Sequence, residues 1–508
     1  MKLVKLILEN FRGYKNRTEI DIVDFTVFVG KNDVGKSTIL EALDIFFNDG
    51  QGTVKLDKDD LSKNCSAEDE ILIGCIFDVS DMGIVIDDSY QTSLKKEYLL
   101  NRSGKLEILK RYKNGGKPKA FLVANHPTNE GFSDLLLKKQ SELRAIVDTL
   151  KISDVDKTKN AEMRTAIWRA IPTLVLDERE IDISKEDAKK IAEKLWGYLP
   201  LFALFQADRK NSDGDSEVQD PMKLAVRKAL SEPEIVDALE KVSSQVWQTL
   251  EDVANRTLEK LKEMNPAVAD GLSVRLPLVK DLKWGDVFKS VSIIGTDEVP
   301  INKRGSGIRR LVLLNFFRVE ADWLRENQQQ RGVIYAIEEP ETSQHLSHQR
   351  ELIRALMCIS NRESAQVLLT THSPSVVKML CFDNLRLIRD CENGGKKIET
   401  VSRANLPYPS LNEVNYSVFG EAVEEFHNEL YGYIEENGWL DEFKENKDRR
   451  KYIRIKRNRE RIQEEKILTE YIRHQIHHPE NTENPKYTSL ELKNSIDEMR
   501  KFISQKRN

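Results

Sequence analysis

Apolar positions near the start of the chain fall in two short patterns and one longer one. Residues 2–9 place Leu3, Lys5, Ile7 and Glu9 on one side and Lys2, Val4, Leu6 and Leu8 on the other, the two-residue period of a strand. Phe25-Thr26-Val27-Phe28-Val29 is a five-residue apolar run that ends at a glycine-containing loop. From Ser37 to Phe47 the period changes: Ile39, Leu40, Leu43, Phe46 and Phe47 share one face of a helix. Strand, loop and helix therefore follow one another within the first 47 residues.

Further along, residues 71–87 read as strands, and 106–123 as a hairpin about Asn114-Gly115-Gly116, since Asn-Gly favours a primed turn. Residues 130–265 are charged and helical in pattern, with breaks near Ile167–Pro172 and Ala207–Pro221, and carry no sustained heptad. Strands return near 273–276, 291–295, 333–337 and 366–371. Beyond about residue 405 the pattern is helical, then basic. The expected division is 1–125 and 271–404 as two halves of one α/β domain, 126–270 as a helical insertion, and 405–508 as a helical, basic C-terminal segment.

Of the 508 residues, 32% are charged, yet the formal net charge is only −5. Bulk electrostatics therefore gives no polyanion binder, and any nucleic-acid surface must be a local patch. The five cysteines, Cys65, Cys75, Cys358, Cys381 and Cys391, are scattered and form no CxxC pair. A reducing, cytoplasmic setting is expected, with no disulfide framework or zinc ribbon. The opening MKLVKLILENFRGY lacks the apolar core and cleavage site of a secretory leader. No run approaches the roughly 18 apolar residues of a membrane span.

The first candidate chemistry lies in the early loop. Gly30-Lys31-Asn32-Asp33-Val34-Gly35-Lys36-Ser37-Thr38 is a full GxxxxGK[ST]. Glycines let the backbone N–H groups approach phosphates, Lys36 reaches the β- and γ-phosphates, and the Ser37 hydroxyl ligates Mg²⁺. This composition predicts the phosphates of a nucleoside triphosphate as the ligand. The second is Val333-Ile334-Tyr335-Ala336-Ile337-Glu338-Glu339-Pro340-Glu341, an apolar strand ending in carboxylates. Glu338 is expected in the Mg²⁺ shell and Glu339 as the general base that polarises the attacking water. The third, Leu368-Leu369-Thr370-Thr371-His372-Ser373-Pro374, delivers His372 to the carboxyl end of a strand, where open α/β sheets place ligands, so His372 is expected at the γ-phosphate. The fourth is Arg304-Gly305-Ser306-Gly307-Ile308-Arg309-Arg310 before LVLLNFF. Ser306 and Gly307 at a helix start offer a hydroxyl and N–H groups to an anion, completing a partner's nucleotide site.

These four motifs, their order and the opening LILENFRGY resemble the ABC-type ATPases of the RecF, SMC and OLD (overcoming lysogenization defect) group, most closely the OLD-like heads with their IEEPE strand, GSG-type signature and THSP switch. The resemblance covers residues 1 to about 125 and 270 to 390. It implies a homo-oligomer, at least a dimer, in which two heads sandwich two ATP molecules and Ser306 and Gly307 of one face Gly30–Thr38 of the other. It also implies Arg12 near nucleotide. A glutamine at the usual Q-loop place is missing, with Asp59 or Asp60 standing nearby. SMC-like arms and the acidic residues of a C-terminal Toprim nuclease are missing too. Solitary heads of this kind are similar to ATPase subunits of anti-phage systems of the Septu and retron-linked type, which implies a separate effector nuclease or other defence subunit. A RecF/SMC-type DNA-repair clamp is the alternative of another class.

Three weaker signals remain. The acidic stretch Ala207–Glu217 is turn-rich but lacks the ligand spacing of a calcium loop. Lys447–Arg461 holds Lys447, Arg449, Arg450, Lys451, Arg454, Lys456, Arg457, Arg459 and Arg461, either as a solvated helix face or as a phosphate-backbone contact. Arg473-His474-Gln475-Ile476-His477-His478 fits the R-x4-H pattern of HEPN-type ribonucleases, where Arg473 and His478 would cleave RNA without metal; a solvated helix end and a histidine metal site fit it as well.

Overall fold

The computed structural model describes residues 1–206, 229–248 and 332–507, apart from 50–52, 64, 67, 80–91, 114, 185, 231, 246–247, 343–345, 362–364, 392–394, 402–407 and 457–459. The chain divides into two compact units, Met1–Ala207 with Ala321–Asn508, and Asp208–Glu320. In the second unit, residues 233–245 are helical. The expected strands near 273–276 and 291–295, the acidic stretch, and Ser306 and Gly307 lie outside the described residues. The motifs Gly30–Thr38, Val333–Glu341 and Leu368–Pro374 belong to the first unit.

Two six-stranded sheets organise it. The first is antiparallel and built from β1 (Lys2–Glu9), β2 (Thr18–Asp21), β4 (Ile71–Asp78), β5 (Leu106–Tyr112), β6 (Lys119–Pro127) and β7 (Leu176–Asp182), in the order β2-β1-β4-β5-β6-β7. The β5–β6 hairpin pairs Leu109 with Phe121. The second sheet contains β3 (Phe25–Val29), β8 (Leu201–Phe205), β9 (Val333–Glu338), β10 (Ala365–Thr371), β11 (Leu385–Asp390) and β12 (Lys396–Thr400), in the order β12-β11-β3-β10-β9-β8. All but the β12 edge run parallel. Parallel strands are covered on both faces, which is why FTVFV and AQVLLTT are buried at every position.

Helix α1 (Lys36–Phe47) follows β3 and buries Ile39, Leu40, Leu43 and Phe46 in the core. Its C-terminal carbonyls meet a cation: Lys110 Nζ donates to the Phe46 carbonyl at 2.7 Å and lies over the Phe46 and Trp196 rings. A positive charge there complements the helix dipole. Gln366 of β10 joins the two sheets. Its Nε2 donates to the Leu3 carbonyl (2.8 Å) and its Oε1 accepts from the Leu3 N–H (2.7 Å).

Between the sheets' contributions the chain forms α2 (Gln140–Thr149), α3 (Asn160–Ala170) and α4 (Glu186–Tyr198). The 126–206 stretch was expected to be helical insertion, yet it also carries β7 and β8, so the N-terminal contribution to the sheets runs to Phe205. LDEREID is an edge strand with five exposed residues at its start, so its charged side chains hide the alternation. LFALF is a five-residue apolar run after Pro200, too short for a helix and buried beside β9.

After β9 come α5 (Leu346–Ser360) and the short α6 (Pro374–Val377). The C-terminal segment is mainly helical, as expected: α7 (Leu411–Phe419), α8 (Glu424–Glu436), α9 (Leu440–Lys444), α10 (Leu468–His477) and α11 (Ser489–Arg507). It has its own core, including Phe426, Leu430, Ile434, Phe443, Ile496 and Met499. The basic run departs from the helix expectation. It lies on an antiparallel hairpin, β13 (Arg449–Ile455) and β14 (Arg461–Ile467), where Tyr452, Ile453, Ile455, Ile462 and Ile467 supply the β-forming residues.

A buried ion group holds α3 in place. Arg164, 2% exposed, donates through Nε to Glu97, itself fully buried, at 2.9 Å, and through Nη1 to Asp187 of α4. Asn160 Nδ2 adds a bond to Asp187 at 2.8 Å. Taking away the guanidinium leaves the Glu97 carboxylate uncompensated. Arg164→Met is therefore expected to lower unfolding free energy by about 3–5 kcal/mol, measured by urea denaturation; a loss near zero contradicts the assignment.

Candidate functional site

The loop between β3 and α1 is shaped by its glycines. A Cβ on Gly30 would meet Val34 Cγ1 at 2.6 Å and the Ile388 carbonyl oxygen at 3.0 Å, so only glycine lets the loop lie against β11. Gly35 has φ +97°, the left-handed region that favours glycine, and its carbonyl accepts from the Tyr14 hydroxyl at 3.0 Å. Lys31, Asn32 and Asp33 are exposed on the loop's crest, and Ser37 and Thr38 are half-buried in the first turn of α1.

Lys36 is 5% exposed and folds back on the loop, donating to the Gly30 (3.0 Å) and Lys31 (2.9 Å) carbonyls. Burial pulls its pKa below the ordinary lysine value, against Glu339, Glu341, Asp33 and Glu338, which favour the charged form. These four carboxylates form the anionic surround that a polyphosphate would replace as the lysine's partner.

Strand β9 brings the second motif to the same edge. The Ser37 hydroxyl donates to the Glu338 carboxylate across 301 residues of sequence. Beyond Glu338 the backbone turns sharply. Glu339 has φ +41°, and its N–H donates to both the carbonyl and the hydroxyl of Thr370 at 3.1 Å. A left-handed glutamate is uncommon, and here it swings the side chain toward β10. Glu339 Oε1 lies 3.1 Å from His372 Nδ1. The structure thus brings Lys36, Ser37, Glu338, Glu339 and His372 to the carboxyl ends of β3, β9 and β10.

Glu341 has a place that its motif did not reveal. It is 4% exposed, and its Oε1 accepts from the Thr371 hydroxyl (2.5 Å) and the His372 N–H (3.2 Å). Burial pushes its pKa up, and the Thr371 bond opposes this. Its Oε2 is buried and makes no hydrogen bond. Its partners lie 30 and 31 residues further along the chain, so the sequence held no local sign of this place.

Arg12, with φ +48°, is held by Asp60 (Nε to Oδ1, 2.7 Å) and by Glu41 of α1. Glu41 also accepts from Gln206 Nε2 at 3.2 Å. Asp60 is thereby engaged with Arg12, and Gln206, just past β8, is a glutamine at the head's edge that the sequence reading passed over.

A divalent cation fits Ser37 and Glu338. A hydroxyl and a carboxylate are the hard oxygen donors that Mg²⁺ takes, the rest of its shell coming from phosphate and water. Among the described residues no three His, Cys, Asp or Glu side chains are grouped to hold a metal by themselves.

The C-terminal candidates have partners of their own, and the His474 and His478 rings stack with centroids 6.3 Å apart. Arg473 stacks over the Tyr431 ring at 4.0 Å and donates to Glu435 at 3.3 Å, whereas His478 lies past the end of α10 beside Glu480. In the basic run, Lys447, Arg450, Arg454, Lys456 and Arg461 pair with Glu498, Glu491, Glu464, Glu460 and Glu483. Arg457 and Arg459 lie outside the described residues. Among the described residues, no helix is long and apolar enough to cross a membrane.

Comparison with known proteins gives one family. The AAA ATPase domain family matches residues 1–377. Similar solved structures include an Smc head bound to the C-winged helix domain of ScpA (14% identity, 79% of this chain and 98% of that one, TM-score 0.38). Others are the SMC head domain from Thermotoga maritima (13%, 79% and 100%, 0.33) and an Smc head domain with an extended coiled coil bound to the C-terminal domain of ScpA from Pyrococcus furiosus (15%, 79% and 96%, 0.36). No curated protein matches. The family match spans most of the 508 residues, and the chain belongs to the AAA ATPase domain family.

Two outcomes are expected of this geometry. Glu341→Ala frees Thr371 and the His372 N–H, so the turnover number for ATP should fall at least about tenfold, about 1.4 kcal/mol of barrier. The Kd for ATP should stay within about threefold, and a kcat equal to wild type contradicts the role. Lys36, depressed when free, is raised by bound phosphates. Affinity is then full below the free lysine's pKa and is lost as pH rises through it. Above about pH 8, where phosphates have lost their last proton (second pKa about 6), calorimetric affinity should fall with pH sooner than for an exposed lysine. A flat profile contradicts this.

Proposed function

We propose that this chain is an ATP-hydrolysing switch whose heads pair around nucleotide and gate a separate effector nuclease, in the manner of the OLD-like ATPases of anti-phage systems. The observation that carries the ATPase part is the meeting of Ser37 with Glu338 and of Glu339 with His372 at one sheet edge. The loop N–H groups and Lys36 hold the triphosphate, with Arg12 near the nucleotide; Ser37 and Glu338 hold Mg²⁺, which supplies charge neutralisation on the phosphate oxygens. Glu339 accepts the proton of the attacking water as the bond from the γ-phosphorus to the diphosphate oxygen breaks. His372, beside Glu339, orients that carboxylate and faces the γ-phosphate. Ser306 and Gly307 complete the site of the opposite head, which makes the active species at least a dimer.

Gating a partner is preferred over nucleic-acid clamping and over a built-in ribonuclease for one reason. Lys447, Arg450 and Arg461 of the basic run pair with glutamates while Arg449 and Lys451 stay exposed, and Arg473 and His478 each have another partner, Tyr431 and Glu480. A cytoplasmic setting accords with the scattered cysteines, free among the described residues.

Glu339→Gln keeps the shape of the turn and loses the base. It is expected to bind ATP with unchanged Kd, to hydrolyse it at least about a hundredfold more slowly, and to accumulate as a dimer by mass measurement in ATP. Wild-type hydrolysis by this variant overturns the base assignment. For the shared site, Ser306→Arg chains and Lys36→Ala chains should each be inactive alone, and mixing them should restore one complete site per mixed pair and activity up to half the wild-type rate. A mixture no more active than either variant alone contradicts sharing across the dimer.

A further inference from the structure

Beside the P-loop is a cavity of about 270 Å³ that the chemistry above does not use. Its apolar walls are Val34 of the loop, Leu387 and Ile388 of β11, and Val418 of α7; Lys31, Arg389, Asp390 and Ser417 complete its lining. Its position follows from strand order. In the row β11-β3-β10-β9, the carboxylates and His372 lie on the β10–β9 side of the P-loop strand. The reacting end of a triphosphate in the loop faces that side, so its other end points toward β11. Strand β11 runs parallel to β3, with Leu387 opposite Val29, which brings Ile388–Asp390 to the same edge as the loop. Ligands of open α/β sheets lie at such carboxyl ends. The volume is below the roughly 300–1,000 Å³ of pockets that enclose whole ligands, and suits one planar ring between apolar walls.

We propose that this cavity takes the base of the bound nucleoside triphosphate and that α7 thereby reports occupancy to the C-terminal segment; this rests on the reading that the P-loop holds a triphosphate. The connections run through α7 itself. Ser417 Oγ, at the cavity, donates to Glu413 at 2.9 Å, and fully buried Glu413 accepts from Arg500 Nε of α11 at 2.8 Å. Asn415 Nδ2 donates to the carbonyl of Pro374, two residues after His372, at 3.1 Å. One nine-residue helix therefore touches the cavity, the switch turn and the longest C-terminal helix. A base seated against Val418 and Ser417 would fix α7, and with it the Glu413–Arg500 pair.

The test separates base from phosphates by titrating the full chain with ATP and with inorganic tripolyphosphate, both with Mg²⁺. Wild type is expected to bind ATP at least tenfold more tightly than tripolyphosphate. Val418→Trp, which fills the cavity, should bind ATP at least tenfold more weakly, with its tripolyphosphate Kd within twofold of wild type. That second titration also shows that the loop remains folded. Ser417→Phe, at a half-buried position, should repeat the effect if tryptophan disturbs α7. In hydrogen exchange, ATP but not tripolyphosphate should slow the amides of 411–419. Equal wild-type affinity for the two ligands, or unchanged ATP affinity in both variants, overturns the base site alone. A wild-type chain that binds neither ligand overturns the P-loop reading and this one with it. Slowing of 411–419 by tripolyphosphate as much as by ATP overturns the reporting role.

Discussion

The hydrogen bond from Ser37 to Glu338 joins residues 301 apart, and most of the architecture serves to make it. A hydroxyl in the first turn of α1 reaches a carboxylate at the end of β9 only if β3 and β9 run parallel and end at one edge, with a single strand between them. That strand is β10, bonded to both, with Thr371 opposite Val29 and Thr370 opposite Glu338. Parallel strands need covered crossovers, so hydrophobic faces on both sides of FTVFV, VIYAIE and AQVLLTT follow from the same requirement. The glycines at 30 and 35 meet it from the loop's side, one against Ile388 and Val34, the other by a left-handed turn.

Buried polar groups do the joining where apolar packing gives no register. Gln366 ties β10 to β1 by two backbone bonds, Glu341 ties the carboxylate turn to the switch strand, and Glu413 ties α7 to α11. Each would be costly if its partner were lost, since a buried carboxylate or amide without a hydrogen bond carries its full desolvation penalty. Such bonds fix geometry more than they add stability. Glu341 holds the backbone of the switch turn at His372 and Asn415 holds it at Pro374, so two elements pin the same turn.

Much of the candidate site was legible because the chemistry expected of it demands contiguous residues: a loop that wraps phosphate must be glycine-bearing and a carboxylate that serves it must cap an apolar strand. The elements missed lack such demands. LDEREID hides a strand under edge charges, LFALF is too brief to declare its period, and the Lys447–Arg461 run reads as a charged helix face until the isoleucines and Tyr452 are seen to alternate in a hairpin. Glu341 and Gln206 act through neighbours distant in sequence. No local pattern distinguishes them from other turn glutamates and loop glutamines.

If the first 50 residues and those around 338 form one nucleotide site, Ser37 and Glu338 act on the same ion. A double-mutant cycle on Ser37→Ala and Glu338→Gln, read as kcat/KM for Mg²⁺-ATP hydrolysis, tests it most directly. Residues that act on one ion are coupled, so the loss in the double variant should fall short of the product of the two single losses by at least about fivefold, a coupling of about 1 kcal/mol. Losses that multiply independently would contradict a shared site.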